Sequence, residues 1–548
     1  MKHGAWSVLL WLAVCPAAIA EEHHSAPPTK PAILFTNLGH HHHPIATKSA
    51  DAQKFFDQGL TLVFAFNHEE AVRSFQRAAE LDPQSPMPHW GIALALGPNI
   101  NLDVDPEREK AAYEAVHQAL SLSSRAPENE RAYVETLAKR YSSDPKADLM
   151  KPQSDYANAM RQLVERYPDD LDAATLYAES LMDLNPWRLW TNDGQPAPGT
   201  EEIIAVLESV LKRDPNHVGA NHYYIHVVEP SPHPERALPS AKRLETLVPG
   251  AGHLVHMPGH IYMRTGDYAG AVTANLKAAA ADRAYLRATG TEGGMYDLMY
   301  YSHNLHFLTA GYMGEGRFAD ALKAAAELVT HVTPGVQKMP MGEFFLPTST
   351  FVLLRFHRWD DILKVPAPDA RWTTTAGLWH FARGMAFAAK GNLQNAAAER
   401  KELAAIESQT PPEAEFSGYF NKARDFLRLA EHMLDARIAA ARGDRKTAIG
   451  HWRKAVEVED SLNYGEPPEW YYPVRESLGG ELLRDGQATE AEKVFRADLE
   501  KNPRNPRSLF GLLESLKAQK RTADADWVRR QFEAAWKNAG VNLRVEDL

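Results

Sequence analysis

Apolar and small side chains recur along most of the chain at the spacing of paired amphipathic helices. In the first clear unit they lie three and four places apart, on either side of a short polar turn, and a proline closes the unit. This spacing predicts two helices that pack against each other through their small residues. The residues that define the unit are Phe55, Gln58, Gly59, Leu62, Ala71, Phe75, Ala78 and Pro83. The frame recurs towards the C-terminal end, so an all-α chain of antiparallel helix pairs is predicted.

Short turns rich in glycine divide the helices of a pair. Gly266-Asp267, Gly391-Asn392 and Gly443-Asp444 each stand between two periodic stretches. Glycine followed by Asp or Asn is typical of a helix end that is followed directly by a new helix start. We therefore expect one helix of a pair to end and the next to begin at each of these dipeptides.

The repeated frame resembles that of the tetratricopeptide-repeat (TPR) family. Further matching residues are Gly259, Tyr262, Ala271, Ala278, Tyr312, Ala321, Leu328, Gly384, Phe387, Ala396, Ala448, Trp452, Ala455, Gly479, Leu482, Ala491, Phe495 and Pro503. About nine or ten units fit between residues 52 and 540. The resemblance implies a superhelical TPR solenoid and says almost nothing about activity. Segments such as Phe56–Leu60 and Trp470–Arg475 also resemble a group of exported bacterial TPR proteins, to which we attach no activity.

Length and composition agree with a large soluble repeat array. The chain has 548 residues, 44% of them hydrophobic and 24% charged, which is ordinary for a folded soluble protein. The net charge of -11 argues against a nucleic-acid partner and shows no basic membrane patch. Nothing after the N-terminus is apolar over a length that would span a bilayer, so no membrane span is expected.

The first twenty residues have the pattern of a secretory signal peptide. Lys2 precedes an apolar run, and Ala18-Ile19-Ala20 offers small residues for cleavage before Glu21. Cleavage after Ala20 is preferred over lipid anchoring at Cys15, because Val14 stands where a lipoprotein signal usually has a small residue. Cys15 is the single cysteine, so the mature protein would lack thiolate ligands, and cysteine-ligated zinc and iron–sulfur sites are excluded. A periplasmic or secreted location is expected.

The chain divides into five regions by these criteria. They are a signal peptide, an extended lead-in rich in His and Pro, N-terminal repeats with insertions, histidine-lined middle repeats and C-terminal repeats, at residues 1–20, 21–50, 51–216, 217–335 and 336–548. Insertions follow Gly97–Asn101 and occupy about 185–199 and 289–294. Loops of this kind fold over a binding face or are tolerated at the surface, and both interpretations stay open.

Seven histidines of the middle repeats fall on one geometric pattern. Their spacings are i,i+4, then i,i+3,i+7, then i,i+3, which places the histidines of each segment on one stripe of a helix. They are His222, His226, His253, His256, His260, His303 and His306. With helices beginning near Val218, Gly252 and Ser302, these places point roughly 130° away from the positions that pack the repeat core. The TPR resemblance implies that such places line the concave groove, where imidazoles from neighbouring helices can share a metal ion.

Carboxylates and further histidines extend this pattern. Glu179 occupies the corresponding place in the preceding repeat and is a candidate ligand or catalytic base, with Asp172, Asp183 and Glu229 nearby in the same stripe. His40–His43 precede the first repeat. That run either enters the groove and adds a ligand or is a polar tract, and we favour the polar tract.

The resulting expectation is an exported TPR metalloprotein with one or two transition-metal ions in a histidine-lined groove. Copper or zinc suits an all-imidazole set best, and iron is a further option. A metal-dependent hydrolase and an oxidase both fit, and whether the protein is an enzyme stays open. A periplasmic metal carrier and a TPR scaffold that binds a peptide, a partner protein or a small molecule are the alternatives. No serine elbow, P-loop or dinucleotide motif is present in the sequence.

Overall fold

A computed structural model describes residues 32–144, 146–417, 421–470 and 473–548. The expected signal peptide and Cys15 lie outside the described residues. Residues 32–49 of the lead-in have no helix, as expected. From Ala50 onward the described chain is a succession of antiparallel helix pairs stacked side by side, which is the superhelical TPR-type solenoid that the sequence predicts. The described pairs number twelve, more than the nine or ten units of the sequence pattern, because some pairs depart from that pattern.

The N-terminal repeats contain four helix pairs. Their helices are α1 (Ala50–Val63), α2 (His68–Leu81), α3 (Met87–Leu96), α4 (Pro106–Leu122), α5 (Glu128–Leu137), α6 (Met150–Arg166), α7 (Leu171–Met182) and α8 (Thr200–Arg213). Small residues permit the close packing. The ring of Phe75 lies between Gly59 and Gly91, where an added Cβ would come within 2.6 and 2.5 Å of it.

The middle repeats begin where the histidine spacing predicts. Their helices are α9 (Val218–Val228), α10 (Leu238–Leu247), α11 (Gly252–His256), α12 (Pro258–Thr265), α13 (Tyr268–Thr289), α14 (Ser302–Gly314) and α15 (Phe318–Val332). Pro258 lacks an amide hydrogen and divides the first helix of one pair into α11 and α12. A π-helical turn over Tyr296–Tyr301 leads into α14, and such turns are frequent at functional sites.

The C-terminal repeats continue the same order of pairs. Their helices are α16 (Thr348–Arg355), α17 (Trp359–Ile362), α18 (Thr373–Ala389), α19 (Leu393–Gln409), α20 (Ala423–Ala441), α21 (Arg445–Ser461), α22 (Val474–Arg484), α23 (Ala488–Lys501), α24 (Pro506–Ala518) and α25 (Thr522–Ala535). No helix of the described ranges has the length and apolar character of a membrane span.

The predicted glycine turns are confirmed. Gly266, Gly391 and Gly443 have φ of 75°, 75° and 82°, which only glycine adopts without strain. The residue after each one caps the next helix with its side chain: Asp267, Asn392 and Asp444 accept hydrogen bonds from the amides of Gly270, Asn395 and Thr447.

Both ends of the solenoid fold back onto the middle repeats. On the N-terminal side, the loop between α1 and α2 reaches α9, where the ring of Phe64 packs on Gly219. On the C-terminal side, Arg264 donates a hydrogen bond to the carbonyl of Lys501 at 3.3 Å. The apolar core has two parts, one from Leu38 to Ile261 and one from Val272 to Leu548. The histidine-bearing helices therefore lie where the two parts meet.

Candidate metal centre

Six of the seven predicted histidines come together as two groups of three. The first group is His222 and His226 on α9 with His253 on α11. The second group is His256 on α11, His260 on α12 and His303 on α14. Within each group, one ring nitrogen from every member lies within 4.8 Å of the others. Three converging imidazoles are a common ligand set for a transition-metal ion.

The two groups are in direct contact. The ring centroids of His226 and His260 are 5.5 Å apart, and those of His253 and His256 are 5.7 Å apart. Two rings of each group therefore lie against a ring of the other group. Such an arrangement can place two metal ions next to each other in one centre.

In the first group, acceptor atoms determine which ring nitrogen carries the proton. Nδ1 of His222 lies 2.6 Å from the carbonyl oxygen of Phe64, and Nδ1 of His226 lies 3.0 Å from Oε1 of Glu229. A carbonyl oxygen only accepts, so Nδ1 of His222 donates and its Nε2 keeps its lone pair. Burial and the neighbouring Glu466 raise the pKa of Glu229 well above its usual value, so His226 has this tautomer when Glu229 is ionised. Nε2 of His226 is buried and has no hydrogen-bond partner among the described residues.

In the second group, an amide and two carboxyl groups face the Nδ1 atoms of the histidines. Nδ1 of His256 donates to Oδ1 of Asn275 at 2.6 Å, while the Asn275 amide nitrogen donates to the carbonyl of Ala271 and so fixes the amide orientation. Nδ1 of His260 lies 2.5 Å from Oε2 of Glu466 and 2.7 Å from Oε2 of Glu229. Ligand imidazoles are usually oriented in this way, by an acceptor on the nitrogen opposite the metal.

The free nitrogens point at each other. The Nε2 atoms of His256 and His260 are 2.6 Å apart, and those of His222 and His253 are 3.1 Å apart. At such distances a proton or a metal ion must lie between the two nitrogens of each pair. A tetrahedral ion with metal–nitrogen bonds of about 2.0–2.1 Å separates its ligand nitrogens by about 3.3 Å. The 3.1 Å pair is close to this separation, and the 2.6 Å pair would have to move apart to hold an ion. The donor set of each group fits a metal ion.

Burial keeps most of the imidazoles neutral. Desolvation lowers the pKa of His222 to about 3 and lowers those of His226, His253, His256 and His303 well below the usual value. Neutral imidazole is the form that binds metals. His260 is the exception: burial opposes its charge, but Glu229 and Glu466 outweigh burial and raise its pKa to about 10. A metal ion bound there would displace that proton.

One phenylalanine ring contacts all three members of each group. Phe66 lies 4.5, 5.8 and 5.5 Å from His222, His226 and His253. In the second group, the ring of Phe307 on α14 lies 4.7, 4.7 and 4.9 Å from the rings of His256, His260 and His303. These rings exclude water and limit how the imidazoles can rotate.

The expectation of histidines in an open groove is wrong. Six of the seven predicted histidines are 3% exposed or less, and His303 alone among them is partly exposed. The concave side is filled because the α1–α2 loop and the segment with Glu466 fold over it. The first two predicted insertions also take part. Trp187 of the second insertion lies edge-on to His226, and Asn101 of the first donates to the Tyr300 hydroxyl beside His253.

The remaining predicted site residues lie around the two groups. His306 packs edge-on against Phe345 and Phe344. Glu179 lies in a buried cluster with Arg140 and Asp183, where Nη2 of Arg140 is 3.9 Å from Glu179 and 2.5 Å from Asp183. The predicted carboxylate that joins the histidines is Glu229, one turn after His226.

Glu466 was missed from the sequence. It lies 206 residues after His260, in the loop between α21 and α22, and no helical spacing connects the two positions. In the sequence, Glu466–Pro468 and the aromatic residues that follow are compatible with a segment that closes over the groove or with packing between repeats, and neither interpretation gives Glu466 a role at the histidines. A contact that depends on the complete turn of the superhelix leaves no local signal.

The lead-in histidines dock beside the centre through Asp172. Nδ1 of His43 lies 2.7 Å from Asp172, and Nε2 of His41 and of His217 lie 3.1 Å from it. Nδ1 of His217 accepts from the amide of Ala220, so its Nε2 is the protonated nitrogen that donates to Asp172. This is a hydrogen-bonded anchor for the lead-in, and His41 and His43 stand outside the two histidine groups.

Comparisons with known proteins concern the fold. None of the known family profiles matches the chain, and none of the curated proteins does. Among solved structures, human IFIT1 in a dimer with m7Gppp-AAAA is similar over 91% of this chain and 92% of that chain, with 15% identity and a TM-score of 0.32. Yeast Tom70 is similar over 89% and 92%, with 13% identity and a TM-score of 0.29. The TPR domain of P58(IPK) is similar over 86% and 99%, with 10% identity and a TM-score of 0.21.

Proposed function

We propose that the middle repeats bind two first-row transition-metal ions side by side, one in each histidine group, and that the protein is a metal-dependent oxidoreductase. The observation that carries this proposal is the division of six imidazoles into two adjoining sets of three, with the ring nitrogens of each set within 4.8 Å. The fixed Nδ1 atoms and the facing Nε2 atoms support it, because each hydrogen bond leaves Nε2 available to an ion.

Copper is the metal that this ligand set suits best. Imidazole binds copper, zinc, iron and nickel, and divalent copper stands highest in the order of affinities. The carboxylates of Glu229 and Glu466 face Nδ1 atoms of the histidines, so the ligands facing the ions are neutral. Neutral nitrogen ligands accommodate both monovalent and divalent copper. A pair of monovalent copper ions would supply two electrons to dioxygen and become divalent, and an oxidisable organic substrate would return the electrons.

The residues of this chain prepare the centre for such chemistry. Phe66 and Phe307 exclude water from the imidazoles, and Glu229 and Glu466 hold the proton of His260 at Nδ1. The buried position also disfavours a metal carrier, which needs ligands that open easily. We further propose export, on the signal-like residues 1–20.

A zinc-dependent hydrolase is the second candidate. Three protein ligands with one open position are the usual arrangement of catalytic zinc, and the partly exposed His303 leaves the second group accessible. A periplasmic carrier and a partner-binding TPR scaffold remain alternatives of lower rank, since neither uses two ordered sets of imidazoles.

Elemental analysis of the mature protein, purified without a histidine tag, tests the proposal. We expect two equivalents of copper by inductively coupled plasma mass spectrometry. The pair His222→Ala with His253→Ala removes the first set, and the pair His256→Ala with His260→Ala removes the second, so each double variant should lose about one equivalent.

The matched control replaces two exposed histidines outside the centre, His117 and His233, with alanine. It should keep both equivalents. Two equivalents of zinc in place of copper would favour the hydrolytic candidate. The proposal fails if no metal binds after reconstitution with copper, zinc or iron, or if both double variants keep the full content.

A further inference from the structure

We infer that the two ions differ in access: Phe66 closes the first ion to outside ligands, and small anions or substrates reach the second ion past His303. The inference rests on the proposed function, because it concerns the ions of the two histidine groups. It assigns to Phe66 the role of a specificity residue that decides which ion reacts.

The Phe66 ring lies against the first histidine group. It is nearly parallel to the rings of His226 and His253, at interplanar angles of 20° and 24°, and edge-on to His222 at 4.5 Å. One ring thus covers all three imidazoles of the first group. Phe66 is itself 2% exposed, so neither it nor the imidazoles beneath it meet solvent.

The Phe66 ring belongs to a different segment of the chain from the imidazoles that it covers. The imidazoles belong to α9 and α11, whereas Phe66 belongs to the loop between α1 and α2 on the facing side of the superhelix. The carbonyl of Phe64 in the same loop accepts from His222 at 2.6 Å and so ties the loop to the group that it covers.

The backbone of Phe66 is strained. Its φ of 55° is a left-handed conformation that is unfavourable for a phenylalanine. Trp187 has φ of 57° and lies edge-on to His226 at 5.7 Å. Two bulky residues are therefore held in unfavourable conformations against the same imidazole, and the surrounding contacts must impose both positions.

The second group lacks this kind of cover. Its phenylalanine, Phe307, belongs to α14, the same helix that carries His303, so it packs from the side of the ligands. His303 is partly exposed, whereas the other two members of its group, His256 and His260, and all three members of the first group are 3% exposed or less. Solvent and small solutes therefore meet the second group first.

Azide binding to the copper-loaded protein tests the inference. Copper content is measured first, and bound azide is then counted by calorimetry and by its charge-transfer absorption with divalent copper. We expect one equivalent of azide per protein. Phe66→Gly should raise this to two, because glycine adopts φ of 55° without strain and removes the ring without forcing the loop to move.

A matched control separates the aromatic ring from the loop that carries it. Phe66→Leu changes the same residue but keeps an apolar side chain over the imidazoles, so it should bind one equivalent of azide.

Azide binding to the two double histidine variants described above tests the inference without any change at Phe66. The protein that keeps only the second ion should bind azide, and the protein that keeps only the first should not. Zero or two equivalents in the wild-type protein, one equivalent in Phe66→Gly, or azide on the first ion alone would overturn the inference. A wild-type protein with fewer than two copper ions would instead overturn the proposed function, and the copper assay reports that separately.

Discussion

Each histidine group contains three imidazoles, and the two groups differ in what holds the rings. The first group uses a backbone carbonyl, that of Phe64, and one carboxyl group, Glu229. The second uses an amide, that of Asn275, and two carboxyl groups, Glu229 and Glu466. Glu229 is therefore shared, and Glu466 lies nearer to the second group, 2.5 Å from Nδ1 of His260 against 4.0 Å from Nδ1 of His226.

The imidazoles of the two groups differ widely in pKa. Desolvation lowers the pKa of His222 to about 3, whereas Glu229 and Glu466 overcome desolvation and raise that of His260 to about 10. A divalent ion in either group has the carboxyl group of Glu229 one imidazole away, and an ion in the second group also has Glu466 at the closer distance. The second ion should therefore bind more tightly in its divalent state.

The groups also depend on opposite ends of the chain. Phe64 precedes His222 by 158 residues, and Glu466 follows His260 by 206. Each group is completed only when its end of the solenoid has folded back onto the middle repeats. Damage to one end should therefore affect one ion more than the other, which makes the comparison testable by single substitutions.

The largest effect is expected at Glu466. Glu466→Gln keeps the size of the side chain but removes the charge that faces Nδ1 of His260. Loss of such an orienting partner usually weakens metal affinity about 10–100-fold, and the loss of charge places this variant near the upper end. Competition with a copper chelator should show a larger loss of affinity for the second ion than for the first, because Glu466 lies 2.5 Å from Nδ1 of His260 and 4.0 Å from Nδ1 of His226.

Glu469 in the same loop provides the control. Desolvation raises its pKa to about 8, and Asn421 donates to it, so Glu469→Gln replaces a group that is already largely protonated at neutral pH. Both affinities should stay as in the wild type. Equal weakening of both ions in Glu466→Gln would show that the carboxylate supports the whole centre, against the comparison drawn here.

The sequence predicts much of this site because most of its ligands are local on helices. The spacings of His222 with His226 and of His256 with His260 place both pairs on single helical stripes, and α9, α11 and α14 begin where those stripes require. Small residues and glycine turns of the TPR kind predict the helix pairs for the same reason, since each is a property of consecutive residues.

The rest of the site depends on contacts between distant repeats. The residues around Phe66 and Glu466 in the sequence do not indicate that either side chain contacts the histidine groups, because these contacts arise only through the curvature of the solenoid. The same curvature explains why the histidines are buried when their helical positions indicated an open groove. Helical periodicity shows which side of a helix a residue occupies, and it does not show what will fold over that side.

A smaller effect on the second ion is expected at Asn275. Asn275→Ala removes the neutral acceptor for Nδ1 of His256, and we expect a loss of affinity of about tenfold for the second ion, near the lower end for an orienting partner. Asn275→Asp is the matched variant, because it keeps an acceptor oxygen and adds a charge. It should bind the second ion at least as tightly as the wild type, and a loss as large as that of the alanine variant would contradict the role given to the acceptor.

The smallest effect is expected at Gly219, and it concerns the first group. A Cβ on Gly219 would lie 2.6 Å from the Phe64 ring, so Gly219→Ala must displace the loop whose carbonyl orients His222. Overpacking of this kind costs about 1 kcal/mol at its lower limit. Thermal unfolding should report that loss of stability, and the chelator titration should show weakening of the first ion alone. Gly450→Ala is the control, since a Cβ there meets no atom within 4 Å. Weakening of the second ion to the same degree would mean that the α1–α2 loop supports both groups, and the two ends of the chain would then no longer act on separate ions.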